Sequence, residues 1–178
     1  MAATFIVEDG TGLPNANSYL SLADANQYFD DHGNPTAWTT STDDEKREAL
    51  RLATQYLDVV YGSVWVDRRA NDEQALDWPR AFVTDRDGFA VESDIIPQAI
   101  EDATAEAAVR NRAGTALLPD VDTPGGIKRE KIKVGPLEED ITYTGSGQQI
   151  PQFTLIDLIV DEFTIGSIGH GVKEVRRG

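Results

Sequence analysis

The fold is decided by residues 41–80, which read STDDEKREALRLATQYLDVVYGSVWVDRRANDEQALDWPR. Two hydroxyl residues followed by three acids suit the unpaired N–H groups and the positive dipole end of a starting helix. The pattern predicts a helix over about 42–61 that ends at Gly62. Its apolar residues recur at the 3.6-residue period, in a stripe wide enough to face a core, at Ala49, Leu50, Leu52, Ala53, Tyr56, Leu57 and Val60.

The end of this stretch, residues 71–80, combines helix-cap chemistry with a proline. Asn71 is typical of a helix start, and Pro79 disfavours the helical conformation for the residue before it. We therefore expect a short capped helical turn that stops before Pro79. Trp78 is large and apolar, and we expect it to anchor the core.

Three further helices are predicted around this centre. The first covers about 21–32 and is stopped by glycine and proline signals. The second runs from 93 or 94 to about 113, with Pro97 tolerated in its first turn and Gly114 closing it. Its many alanines permit close helix approach, within one protomer or between protomers. A last apolar helix of about three turns falls within 150–163.

Two hairpins complete the predicted structure. Apolar residues flank the turn sequence at 85–88, which favours a small hairpin near 82–91. Over 128–143, a basic alternating segment precedes an acidic one, so pairing would set a basic strand against an acidic strand. An extended ribbon that leaves the helical body is the alternative for the second segment.

The predicted fold class is mainly α: a small helical bundle with an extended β-hairpin and a C-terminal helix plus arm. Residues 1–116 form the helical body, with the small hairpin near 82–91. Residues 117–147 form a linker and the extended hairpin. Residues 148–178 form the C-terminal helix and a docking arm, whose alternative is a disordered end.

Charge favours a protein partner over a nucleic acid. The chain holds 31 acids and 16 bases, for a net charge of −15. A single-strand binder needs a basic face with aromatic residues along it, and the two basic clusters, at 128–133 and 173–177, contain no aromatic residue. The chain has no cysteine, hence no disulfide or thiolate site. It shows no apolar run of membrane-spanning length, so we expect no membrane contact.

The residue patterns predict no catalytic, cofactor or metal site, and we expect a protein that is not an enzyme. His32 and His170 are the only histidines, and we expect both to be exposed. Residues 83–94 match a calcium loop in part, but the first and last ligands are wrong, so a hairpin turn explains them better. The glycine-rich stretch 166–171 lacks the strand and helix of a phosphate-binding loop.

Five motifs together resemble a family found in tailed-phage genomes. Their order and spacing carry the resemblance more than any single one: NSYLSL at 17–22, REALRLATQYLD at 47–58, QALDWPR at 74–80, IPQAI at 96–100 and GGIKREKIKVGP at 125–136. Members of that family are named either head-tail connector or adaptor protein, or DnaT-like single-stranded-DNA-binding protein.

The first name implies a virion structural protein made in the host cytoplasm and located in the neck of the particle. Such adaptors form a ring on the portal, usually of twelve copies, and extend the DNA channel toward the tail. The implied partners are the portal protein, neighbouring copies and the next neck or tail component, while genomic DNA passes without specific binding. The second name implies the alternative, a replication accessory protein that binds single-stranded DNA.

Position and composition, together with the resemblance, select the expected contact residues. Adaptor C-terminal segments dock on the portal, which here corresponds to roughly 150–178. The expected docking residues are Phe163, Ile165, Ile168, Val172, Lys173, Val175, Arg176 and Arg177. Contact with a neighbouring subunit or the tail is expected at Lys128, Arg129, Lys131, Lys133, Glu138, Glu139 and Asp140. For the basic run at 128–133, contact with DNA phosphates is the other interpretation.

Overall fold

A computed structural model describes residues 4–119, 128–134, 137–143, 151 and 153–165 of the chain. In chain order, the helices and strands are α1 Leu22–Asp31, α2 Thr36–Thr39, α3 Asp43–Tyr61, β1 Arg68–Arg69, β2 Arg80–Ala81, α4 Gln98–Arg112, β3 Lys128–Val134, β4 Leu137–Tyr143 and α5 Thr154–Val160. A 3₁₀ turn, Asp161–Phe163, extends α5. The prediction of a mainly helical protein with a hairpin and a C-terminal helix is confirmed.

Helix α3 begins with a capping box and forms the centre of the body. The Thr42 side chain accepts the Glu45 N–H at 3.4 Å, and the Glu45 carboxylate accepts the Thr42 N–H at 2.8 Å. This reciprocal pair satisfies two of the N–H groups that a helix start leaves without partners. The predicted helix over 42–61 is therefore confirmed, with Gly62 at its C-terminal cap.

Helix α4 packs against both α3 and α5, so it lies between them in the body. Small side chains make this close packing possible, since Ala103, Ala105, Ala107 and Ala108 are all buried. The alanine-rich face is therefore used within the chain. The predicted end at Gly114 is confirmed by its left-handed φ of 89° and by its N–H, which donates to the Asn111 carbonyl at 2.9 Å.

A cluster of aromatic rings closes the body around Trp78, which is fully buried as predicted. The Trp78 ring meets Trp65 edge-on at 5.8 Å and Phe163 at 5.2 Å between centroids. Tyr61 continues the cluster, at 5.3 Å from Trp65. We call these four residues the Trp78 cluster. Because Phe163 follows α5, the last described residues of the chain complete the core.

Two sequence predictions differ from the structure. Residues 71–79 form bends and no helical turn, because the buried Gln74 amide donates to the Leu76 and Pro79 carbonyls, at 2.8 and 3.0 Å, which fixes a non-helical path. Helix α4 begins at Gln98 and not near residue 93, with Pro97 as its N-cap in extended conformation. The residue before a proline resists helical geometry, so a helix start upstream of Pro97 is disfavoured.

The chain divides into two compact units. One joins residues up to Leu117 with those from Phe153 onward, and the other spans Leu118–Gln152. The second unit contains β3 and β4, which pair antiparallel from Lys128 opposite Tyr143 to Val134 opposite Leu137. The predicted hairpin over 128–143 is confirmed. The domain boundaries at 116 and 147 stay predictions.

Candidate interaction surfaces

The β3–β4 hairpin sets positive residues directly opposite negative ones. In its register, Lys131 lies opposite Asp140 and Lys133 opposite Glu138. Opposite charges at facing positions of an antiparallel pair stabilise it modestly. The predicted arrangement of a basic strand beside an acidic strand is thus present. The other contact residues predicted here also lie on these two strands: Arg129 opposite Thr142, Glu139 opposite Ile132, and Lys128 at the end of β3.

The two described residues of the predicted portal-docking set differ in exposure. Phe163 is buried in the Trp78 cluster, where its carbonyl accepts the Val66 N–H at 3.0 Å. Ile165 is 67% exposed, and its N–H donates to the Val64 carbonyl at 2.6 Å. Phe163 therefore serves the core, and docking at this end stays a prediction for Ile165. The remaining six lie outside the described residues: Ile168, Val172, Lys173, Val175, Arg176 and Arg177.

A surface that the sequence patterns did not predict lies beside the short β1–β2 pair. Phe82 is 70% exposed, and the guanidinium carbon of Arg68 lies 4.9 Å from its ring centroid. Phe89, on the small hairpin that follows Phe82, is also 70% exposed, and Arg69 and Arg86 are exposed too. We call these five exposed residues of the β1–β2 pair and the hairpin that follows it the Arg68–Phe82 surface; the contact shown within it is the one between Arg68 and Phe82. Its only sequence signal is the Arg-Arg pair and two phenylalanines flanking a predicted turn.

A buried arginine fixes the backbone that presents this surface. Arg80 donates from Nε to the Val66 carbonyl at 2.7 Å, and from its two Nη atoms to the carbonyls of Asp67 and Asp77 at 2.6 and 3.2 Å. By binding three backbone carbonyls, one guanidinium holds together the segment that leads into β1 and the segment that leads into β2. Asp67, just before β1, and Phe82, just after β2, both have positive φ, 54° and 69° respectively.

The small hairpin near 82–91 is present and is held by its turn residue. Asp85 accepts the N–H groups of Asp87 and Phe89 at 3.0 and 2.8 Å, and Thr84 pairs antiparallel with Ala90. The carboxylate is thus engaged by the backbone, which agrees with the predicted hairpin turn. Over the described part of the chain, no group of three histidine or acidic side chains is placed to hold a metal ion.

An acidic groove of about 420 Å³ lies between α1 and α4. Asp24, Asp31, Glu101 and Asp102 line it. Burial, and after it the nearby carboxylates of Asp24 and Asp102, raises the pKa of Glu101 to about 7. His32 at the end of α1 is exposed as predicted, and His170 lies outside the described residues. Among the described helices, none is long and apolar enough to cross a membrane.

A buried polar network ties α3 to the segment that carries Trp78. The Tyr19 hydroxyl donates to the Asp58 carboxylate and accepts the N–H groups of Asp77 and Trp78 at 3.0 and 3.2 Å. Burial raises the pKa of Asp58 to about 7, while the hydrogen bond from Tyr19 opposes that rise. Burial likewise raises the pKa of Tyr19. These groups position Trp78, and the network is structural.

Taken together, these features define a mainly helical protein with a separate two-stranded hairpin unit and an exposed aromatic–arginine surface. The chain belongs to the family described as "Putative DnaT-like ssDNA binding protein", whose model matches residues 3–178. No curated protein and no solved structure matches the chain. Of the two names implied by the sequence motifs, the family finding supports the DnaT-like one.

Proposed function

We propose that this protein is a head-tail adaptor of a tailed phage, a virion structural subunit that forms a ring on the portal and extends the DNA channel toward the tail. The observation that carries the proposal is the β3–β4 hairpin, which belongs to a compact unit of its own. The motif resemblance supplies the phage setting, the neck location and the expected ring of twelve copies.

The hairpin supports an assembly role because it needs a partner. A two-stranded hairpin is marginally stable in water by itself. Within the described strands, each of β3 and β4 has one paired edge and one unpaired edge. An unpaired edge invites strand addition from another chain. A neighbouring copy, or the next neck or tail component, would bind at Lys128, Arg129, Lys131, Lys133, Glu138, Glu139 and Asp140.

The acidity of the chain supports a channel role. With a net charge of −15, a ring would present many carboxylates, and those facing its lumen would repel phosphates. DNA would therefore pass without being held. Such a subunit needs no catalytic group, cofactor or metal. We expect it to be monomeric until the portal orders its C-terminal arm, in a coupled folding and binding step.

A second candidate function, binding of single-stranded DNA in replication, is favoured by two specific observations. One is the family description. The other is the stacked Arg68 and Phe82 pair, since exposed aromatic rings beside cations are what single-strand binders use. The opposing observation is the net charge, because most of the surface would repel phosphates. The family description favours this second candidate, and it is the net charge that leads us to propose the adaptor first.

The experiment that tests the first candidate mixes the protein with the portal of the same phage and examines the mixture by sizing and negative-stain imaging. The full chain is compared with a chain ending at Ile165, which keeps the buried Ile156, Val160 and Phe163. We expect rings on the portal with the full chain only. Rings that form equally well without the residues after Ile165 would remove the docking role of the arm.

A charge-reversed hairpin provides the matched control. Lys131→Glu with Lys133→Glu places like charges opposite Asp140 and Glu138, and we expect it to abolish ring formation. Adding Asp140→Lys and Glu138→Lys restores cross-strand pairing with the charges exchanged. Rings restored by the exchange mean that the hairpin needs only its own pairing, whereas continued loss means that β3 contacts an acidic partner. No portal complex at all would contradict the adaptor proposal.

A further inference from the structure

Phe82 has a backbone conformation that burial of its side chain does not explain. A bulky residue with φ of 69° is uncommon, because its Cβ crowds the backbone in the left-handed region. Glycine or asparagine would adopt this conformation at lower cost. Burial does not offset that cost, since the side chain is 70% exposed. Strained residues of this kind concentrate at binding sites, where the surrounding structure holds them in place.

The surroundings of Phe82 do hold it. Ala81 pairs with Arg68 across β1–β2, and Arg80 binds the carbonyls of Val66 and Asp67 on the facing segment. The rigid pair therefore places the Arg68 guanidinium over the Phe82 ring. An arginine stacked on an aromatic ring keeps N–H donors free at its edge, where they can bind a phosphate.

We infer that the Arg68–Phe82 surface is a binding site for single-stranded nucleic acid, with bases stacking on Phe82 and Phe89 and phosphates held by Arg68, Arg69 and Arg86. The inference rests on the second candidate function and assigns it a location. Every base has a π-face, so stacking of this kind tolerates any sequence. Arg69 contributes in part, because one of its Nη atoms already donates to the Gln74 carbonyl at 3.1 Å.

The charge distribution favours a single strand over a duplex. Asp67, Asp85 and Asp87 lie close to the arginines in the chain, and the whole protein is strongly acidic. A rigid duplex laid on this surface would bring further phosphates against carboxylates. A flexible single strand can contact the five residues and then bend away from the carboxylates around them. Three arginines imply about three phosphate contacts, and hence a salt slope of about −2.

The test measures fluorescence anisotropy of a labelled oligothymidine of about 15 nucleotides, within the range of known single-strand sites, with the full chain at low salt. Stacking energies of single-strand binders predict that Phe82→Ala weakens binding roughly 5- to 150-fold. Phe89→Ala is the second ring variant, and Arg68→Ala should lower the salt slope by about 0.7. Leu158→Ala removes an apolar side chain that is 66% exposed on α5 and serves as the matched control.

The outcomes separate the location from the function. Binding that falls with Phe82→Ala and Arg68→Ala, but not with Leu158→Ala, supports the site. Binding that all variants retain leaves the second candidate function standing and overturns this location. No binding by the unaltered protein overturns both. If the unaltered protein ignores the oligonucleotide and Phe82→Ala prevents ring formation on the portal, the surface is a protein contact.

Discussion

Two aromatic regions of this protein lie close together in the chain and are used in opposite ways. Trp78 is fully buried in the Trp78 cluster, whereas Phe82 is 70% exposed on the Arg68–Phe82 surface. The buried rings meet edge-on at 5 to 6 Å, an arrangement that rings favour. The exposed ring has the Arg68 guanidinium beside it.

The difference lies in the backbone between them. Arg80, which follows the Trp78–Pro79 dipeptide, is buried and binds three carbonyls. The segment thus has one side that anchors the core and another that presents side chains to solvent. Aromatic residues in a short stretch therefore share neither environment nor role, and only the tertiary contacts tell them apart. Four predictions test this contrast.

The largest effect is expected for Trp78→Ala. Removing a fully buried tryptophan leaves a cavity against Trp65 and Phe163, and typically lowers the free energy of unfolding by about 3–5 kcal/mol. Phe89→Ala removes an exposed ring and should change it by no more than about 0.5 kcal/mol. Urea denaturation measures both. Equal losses would mean that the two regions do not differ in packing.

Arg80→Ala should cause the second-largest loss in the free energy of unfolding. It leaves the Val66, Asp67 and Asp77 carbonyls without their donor; because these hydrogen bonds are only part-buried, each loss falls toward the low end of about 1–3 kcal/mol. We expect a loss of about 3 kcal/mol by urea denaturation, with Arg80→Lys intermediate. Arg68→Ala, at the exposed face, is the control and should be close to neutral. A neutral Arg80→Ala would show that the backbone holds its path without the guanidinium.

The third prediction concerns the pH dependence of stability through Asp58. Burial raises the pKa of Asp58 to about 7 from an ordinary value of 3.8. The folded state binds the Asp58 proton more tightly than the unfolded state does. The stabilisation of the fold that results is complete below about pH 4 and is lost as the pH rises through 7. Asp58→Asn keeps an acceptor for Tyr19 and cannot titrate.

We therefore expect Asp58→Asn to lose less stability than the unaltered protein between pH 4 and 7.5, as measured by urea midpoints. The dependence should shrink and not vanish, since burial also raises the pKa values of Asp77 and Glu101. Glu101→Gln tests, at a distant site, whether a raised carboxyl pKa likewise lowers stability as the pH rises. Identical pH profiles for Asp58→Asn and the unaltered protein would contradict the raised pKa.

The smallest effect is expected at Phe82 itself. Glycine adopts the φ of 69° found at Phe82 without steric cost, whereas the Cβ of alanine makes this φ unfavourable. Phe82→Gly should therefore be more stable than Phe82→Ala by about 1 kcal/mol, although neither variant has a ring. Thermal or urea unfolding of the two variants gives the comparison. A more stable alanine variant would mean that the left-handed backbone at Phe82 is not retained.

Local signals in the sequence predicted much of the fold. The cap at Thr42, the helical stripe of α3, the closing Gly114 and the alternation in β3 and β4 each act over a few residues, so they can be recognised without tertiary contacts. The turn at 71–79 could not be predicted, because its path depends on where the Gln74 amide donates.

The candidate sites depended more strongly on tertiary contacts. The charged hairpin follows from local alternation. The pairing of Arg68 with Phe82 joins two places separated along the chain, through a two-residue ladder too short to leave a strand pattern. The burial of Phe163 likewise depends on its contact with Trp78, far from it in sequence. The net charge, an average over the chain, could not reveal a small surface of opposite character.

The place of Phe163 has a consequence for biosynthesis. During translation the body cannot complete its core until the ribosome has released the residues that follow α5, because Phe163 fills the space beside Trp78. A nascent or prematurely terminated chain that ends before Thr154 would leave the tryptophan uncovered. Such chains would be recognised by chaperones and proteases that bind exposed apolar surface. Only chains that extend through Phe163 would then accumulate in the cell.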